Sequence, residues 1–193
     1  PRFEAPFAIT ESAVVRAIAV SSSGEASHVT TARYHKFPND WAIDIHGTYN
    51  RQYTAGGDDG IIDGLRGDLE WRKGGWQGYQ GQDFEAVIDL RRERDVTHLA
   101  AGFLQDTRSW ILMPKRVVFS VSTDGRTFHD VLSVDNAVPP DNYSAQIHDL
   151  AGDIAPVHAR FVRVRAENFG TLPSWHAGAG DEAFIFVDEI MIR

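Results

Sequence analysis

The chain contains no cysteine. Disulfide staples and thiolate metal sites are therefore excluded, while the compartment stays open. No apolar run approaches the ~18 residues of a membrane-spanning helix. No basic segment followed by an apolar stretch opens the chain as a secretory leader would. A positive charge excess is also missing. The 27 acidic and 19 basic residues leave a net charge of −8, and phosphate binding needs a basic stripe, so a nucleic-acid partner is excluded. The densest basic cluster, Arg91, Arg92 and Arg94, is broken by Glu93 and Asp95 and reads as a solvated loop. Membrane attachment through apolar spikes ringed by basic residues finds no matching loop. No helical period persists beyond about two turns. No Gly-x-Ser-x-Gly elbow, His-Glu-x-x-His, phosphate-binding loop or dinucleotide glycine pattern appears.

What the sequence holds is a core and a β pattern. Its 193 residues, 42% hydrophobic and 11% aromatic, suffice for one full domain plus a fragment. With Pro1 at its head, the chain is expected to be part of a longer polypeptide, with any leader upstream. Arg116–Ser122 alternates, with Val117, Phe119 and Val121 on one face. Thr123-Asp124-Gly125-Arg126 makes the turn, its glycine free to take a positive φ, and Thr127–Val134 returns. Phe161–Ala166 alternates again, with Val162, Val164 and Ala166 set against Phe161, Arg163 and Arg165. Further strands are expected at Glu85–Leu90, Val96–Phe103, Tyr143–Leu150 and Phe184–Ile192. Short strands separated by turns predict an all-β sandwich or jelly roll. Residues 1–40 read apart: Val14–Val20 and His28–Tyr34 form two strands around a Ser21–Glu25 turn, and Pro38-Asn39-Asp40 breaks the pattern. Two strands alone are marginal in water. This segment is a partial immunoglobulin-like β-sandwich or an added hairpin, followed by a domain over 41–193.

Two acidic clusters stand at opposite ends of the β segment: Asp63 and Asp68 within Ile61–Asp68, and Asp188 and Glu189 within Phe186–Ile190. Calcium takes about six to eight oxygens, many of them carbonyls. A cation held between the clusters would tie the first loop of a sandwich to its last strand, a layout suited to a sugar-binding module rather than an enzyme. Sugars present CH-rich faces and hydroxyls, so their sites combine aromatic platforms with mixed hydrogen-bonding groups. Four loops carry that mixture: Tyr49–Tyr53, Glu70–Gln77, Leu104–Trp110 and Asn168–His176. The candidate carbohydrate-binding residues are Trp71, Arg72, Trp76, Gln105, Asp106, Asn168, Trp175 and His176. Trp71, between Glu70 and Arg72, reads as the exposed indole. Trp76 and Trp110 read first as core, and Trp175 is divided between packing and binding.

From Tyr49 to Arg193 the chain resembles a discoidin-type domain (coagulation factor V/VIII type C, galactose-binding-like), above all those following bacterial glycoside hydrolases. The matching pieces are Ile62-Asp63-Gly64, Ala86–Leu90, Trp110-Ile111, Ser120–Gly125 and Asp188-Glu189-Ile190. Trp76–Gly81 and Leu172–His176 resemble a subgroup at the C-termini of β-hexosaminidases. Ala5–Thr10, Val15–Ala17 and Ser27–Tyr34 resemble the second half of a chitobiase/β-hexosaminidase C-terminal module. The resemblance implies an eight-stranded jelly roll with a structural Ca2+. Asp63 and Glu189 would donate side-chain oxygens, and Gly60, Leu65 and Asp188 carbonyls. Asp68 stands where the family has Thr or Ser and is the least secure ligand.

The resemblance further implies a non-catalytic carbohydrate-binding module. It would belong to a secreted, periplasmic or cell-surface bacterial glycoside hydrolase of β-hexosaminidase type. Its partners would be galactose- or N-acetylhexosamine-type glycans and the upstream catalytic domain. The alternative is a structural module packed on that domain without binding sugar.

Overall fold

The computed structural model describes residues 2–193. They divide into two compact units, the first running to Pro38 and the second from Asn39 to Arg193.

The first unit is a β-hairpin. Strands β1 (Ala13–Ala17) and β2 (Thr30–Tyr34) pair antiparallel, Ala13 opposite Tyr34 and Ala17 opposite Thr30. The Ser21–Glu25 turn is closed by the Ser21 N–H donating to the Glu25 carbonyl and the Glu25 N–H donating to the Ser21 hydroxyl oxygen, with Gly24 at φ 90°. Phe3, Phe7, Val14, Ile18, Val20 and Val29 remain exposed, so the hairpin builds no core of its own.

The second unit is a jelly-roll β-sandwich. Its strands are β3 (Ala42–Ile45), β4 (Gln77–Gln80), β5 (Phe84–Gln105), β6 (Arg116–Ser122), β7 (His129–Asp135), β8 (Gln146–Ala166) and β9 (Phe184–Ile192). The hydrogen-bonded order is β4-β9-β5-β8-β6-β7, with β3 on β5. β5 and β8 are long enough to serve both layers. The first half of β5 pairs with β3 and the end of β8, and its second half with β9 and the start of β8. The core lies between, with Phe84, Ile88, Phe103, Phe119, Val164 and Val187 among its fully buried residues. Each such side chain contributes about 2 kcal/mol.

The expected alternations hold at β6, where Val117, Phe119 and Val121 are buried, and at the end of β8, where Val162, Val164 and Ala166 are buried. The expected breaks do not hold. Glu85–Leu90 and Val96–Phe103 belong to one strand, as do Tyr143–Leu150 (from Gln146 onward) and Phe161–Ala166. The ladder turns its corner without ending, through register shifts at Asp89/Arg94 and Val96/His98 and a left-handed Arg91 at φ 65°. The charged run Arg91–Asp95 therefore lies inside a strand rather than in a loop.

Candidate functional site

The loop Ile61–Asp68 is fastened to β9. Both Glu189 carboxylate oxygens accept from the Gly64 N–H at 3.1 Å, and Asp63 Oδ1 accepts from the Leu65 N–H at 2.7 Å. Asp63 and Glu189 are buried, and burial, aided by the charges of Asp63 and Asp188, pushes the Glu189 carboxyl up to about 8. The donor set matches a hard cation in part: two buried carboxylates with carbonyl-bearing loop backbone beside them. Asp188 is committed elsewhere. Its Oδ2 accepts from Arg66 Nε at 2.8 Å and the Gly67 N–H at 3.0 Å, while its buried Oδ1 has no partner. Asp68 does not join Asp63 and Glu189; it is exposed, and its Oδ1 takes the Glu70 N–H at 2.7 Å. Among the described residues no three His, Cys, Asp or Glu side chains group as metal ligands. Any remaining ligands would be carbonyls, such as those of Gly60, Leu65 and Asp188.

Five of the expected sugar-contacting side chains are buried and hydrogen-bonded within the fold. Trp71 is not an exposed indole: it is 9% exposed. Arg72 stacks 4.0 Å above its ring, Tyr53 and Phe186 meet it edge-on, and its N–H donates to Asp106 Oδ2 at 3.0 Å. Trp76 is core, donating to the Asp68 carbonyl at 2.9 Å. Gln105 is fully buried, its Nε2 donating to the Pro139 and Asn142 carbonyls. His176 is buried as well; Nε2 donates to the Thr107 carbonyl at 2.6 Å and Nδ1 accepts from the Gly178 N–H, which fixes its tautomer. Asn168 is also buried and lines a different cleft, where its amide donates to the Gln82 and Ala183 carbonyls. In each case the polar group finds a partner, the Asp106 carboxylate for Trp71 and backbone for the others, and burial is tolerated because the hydrogen bond is satisfied. A polar side chain in a loop has the same spelling whether it faces solvent or holds the loop together.

The structure still gathers most of these residues around one short stretch, Asp106–Trp110. Asp106 holds Trp71 and also accepts from the Ser109 hydroxyl at 2.8 Å. The next residue, Thr107, holds His176 through its carbonyl and anchors the β7–β8 loop through its hydroxyl, which donates to the Pro140 and Asn142 carbonyls. Arg108 then projects over Tyr143, its guanidinium carbon 5.8 Å from the ring centroid. Tyr143 meets Trp175 edge to face with centroids 6.3 Å apart. Trp175 is 45% and Tyr143 39% exposed. Among the described residues of the second unit, the exposed large apolar side chains are Leu65, Leu69, Tyr143 and Trp175. The two aromatic ones touch. Sequence reasoning missed Tyr143 by assigning it to a strand; it sits before β8, after the Pro139-Pro140 corner. Arg108 lay in a candidate loop without being singled out.

The domain family described as F5/8 type C domain matches residues 45–180, most of the chain. The chain belongs to that family. Among solved structures it is similar to CBM32-1 from a family 31 glycoside hydrolase of Clostridium perfringens, with 16% identity and a TM-score of 0.49 over 81% of this chain and 95% of that one. It is also similar to a CBM32 of Clostridium perfringens described in complex with GalNAc-β-1,3-galactose, with 11% identity and a TM-score of 0.49 over 79% and 94% of the two chains. The CBM32 of AlyQ, described in complex with 4,5-unsaturated mannuronic acid, shares 12% identity with a TM-score of 0.49 over 82% and 96%. No curated protein matches the chain. No helix among the described residues is long and apolar enough to cross a membrane.

Proposed function

We propose that this chain is a non-catalytic carbohydrate-binding module that meets its glycan on the Trp175–Tyr143 pair. The observation that carries the reading is that pair itself: two solvent-facing rings from different loops, in contact, with Arg108 beside them. Burying such rings on folding would be favourable, so leaving both in water marks a surface kept for a ligand. An indole face suits the CH side of a pyranose, and the Arg108 guanidinium, in no ion pair among the described residues, supplies donors for its hydroxyls. The ligand class is galactose- or N-acetylhexosamine-type glycans. The setting is a secreted, periplasmic or cell-surface bacterial glycoside hydrolase of β-hexosaminidase type, whose local substrate concentration the module would raise. A structural Ca2+ belongs to this reading. Asp63 and Glu189 would supply carboxylates, with Gly60, Leu65 and Asp188 supplying carbonyls.

A glycan array probed with the isolated chain tests the proposal. Binding to galactose- or N-acetylhexosamine-terminated glycans is expected. An array with no bound glycan would instead favour the structural-module reading, in which a neighbouring domain covers Trp175; Trp71 is already covered by its own unit.

A further inference from the structure

A cavity of about 360 Å³ opens between the loops 52–56 and 71–76, within the usual size range of small-ligand sites. Its lining has no residue in common with the Tyr143–Trp175 pair. Arg72 is the one charged side chain of that lining, which holds no Asp or Glu, in a chain whose net charge is −8. The carboxylates that could neutralise it are engaged elsewhere. Glu70 pairs with Lys73, and Asp106 accepts from the Trp71 indole N–H at 3.0 Å. Arg72 forms no ion pair among the described residues; the Trp71 ring holds its guanidinium instead, 4.0 Å from the ring centroid. Stacking orders the guanidinium plane and leaves its N–H edge free to donate.

The opposite wall is rigid. Ala55, Gly56 and Gly57 take successive positive φ values of 48°, 91° and 123°. A left-handed alanine costs about 1 kcal/mol and persists only where its surroundings impose it. Here they do. Gln77, fully buried on β4, donates from Nε2 to the Gly57 carbonyl at 2.7 Å, and its Oε1 accepts from the Tyr79 hydroxyl at 2.7 Å. A wall held in this way is preorganised, which removes the ordering cost from binding. Two uncharged groups on this side, the Gln52 amide and the Tyr53 hydroxyl, have no partner among the described residues. At Gly56 and Gly74 the space a Cβ would fill is open, so backbone is accessible there as well.

We infer that this cavity is a binding site for a uronic acid, a pyranose carrying a carboxylate at C6. The carboxylate takes the guanidinium edge of Arg72 bidentately, the geometry for which that planar fork is built. The ring hydroxyls meet the Gln52 amide and the Tyr53 hydroxyl, groups that both donate and accept. A neutral sugar would leave the cation unpaired, and a small anion would leave most of the cavity unfilled. The site is separate from the Trp175–Tyr143 surface and does not rest on that reading.

Nuclear magnetic resonance titration of the whole 193-residue chain with sodium galacturonate, sodium glucuronate, galactose and sodium acetate tests it. A uronate should shift the Arg72 Nε–H and Trp71 indole N–H signals, with an affinity at least about tenfold above that of galactose or acetate at the same signals, about 1.4 kcal/mol. Added salt should weaken the uronate, because its ion pair is partly exposed. Arg72→Gln keeps a donor but removes the charge, and should bring the uronate down to the level of galactose. Gln52→Trp, which blocks the cavity from its exposed edge, should abolish the shifts. Uronate shifts that are absent, or that survive both variants, overturn the site and leave the Trp175 reading standing. Acetate binding as tightly as the uronates overturns the sugar, and galactose doing so overturns the acid.

Discussion

Tyr143 and Trp175 come from loops preceding different strands, yet their rings meet at 68° with centroids 6.3 Å apart, in contact with water. An edge-to-face pair on a protein surface contributes about 1 kcal/mol at most to its own stability, so its position is better explained by what it can hold. Tyr143→Ala should therefore lower glycan affinity several-fold and shift the unfolding free energy by no more than about 1 kcal/mol. Parallel titration and chemical denaturation separate the two effects. A large loss of stability would show that Tyr143 is packing and not platform.

Removing calcium should lower the melting temperature, and restoring it should recover the loss, because a ligand bound only to the folded state stabilises it by mass action. Differential scanning calorimetry in EDTA and in millimolar Ca2+ reads this directly. Glu189→Gln should abolish the calcium response, since that carboxylate spans β9 and the Gly64 turn. Superimposable melting curves in the two buffers would remove the metal from the account.

Gly102 is one of the tightest glycine positions. A Cβ there would overlap Asp188 Oδ1 and crowd Arg66 Nη2, in the network where Arg66 joins Asp188 to Asp149. Gly102→Ala should cost about 3 kcal/mol, from overpacking together with disruption of the hydrogen bonds to the buried Asp188 carboxylate. Gly152→Ala is the control. Its new methyl meets the flexible end of Leu132 and should cost under about 1 kcal/mol. Equal losses in urea denaturation would contradict the network's importance.

Asp124 organises the β6–β7 turn. The N–H groups of Thr127 and Arg126, together with the Ser122 hydroxyl, hold its carboxyl down at about 2. A depressed folded-state pKa stabilises above the unfolded value, near 3.8, and that contribution is lost as pH falls toward 2. Asp124→Asn should therefore be less stable than the parent at neutral pH, and the gap should close between about pH 4 and pH 2. A gap independent of pH would mean that the charge plays no part.

Much of the sandwich was legible in the sequence because its signals are local. β6 and its turn follow from alternation and one turn glycine, β9 has the expected bounds, and the buried faces of β6 and the end of β8 match the expected pattern. The corners in β5 and β8 were not legible. A bend that keeps its hydrogen bonds looks in sequence like a charged loop, as Arg91–Asp95 does. β3 and β4 also escaped notice, being four residues each. At the candidate site, several side chains that stood out in the sequence are buried, while Trp175 is exposed. Trp71 and His176 carry binding chemistry on paper, and only the partners that fold over them, Arg72, Asp106 and Thr107, show that they are committed to structure. The Tyr143–Trp175 contact is a relation between two distant loops, and no sequence window contains it.

The most direct measurement is a titration of Trp175→Ala, beside the unaltered chain, with the glycan bound most strongly on the array. The account predicts an affinity loss of at least about tenfold, with the melting temperature unchanged because the indole is almost half exposed. Undiminished affinity in a folded Trp175→Ala variant would contradict it.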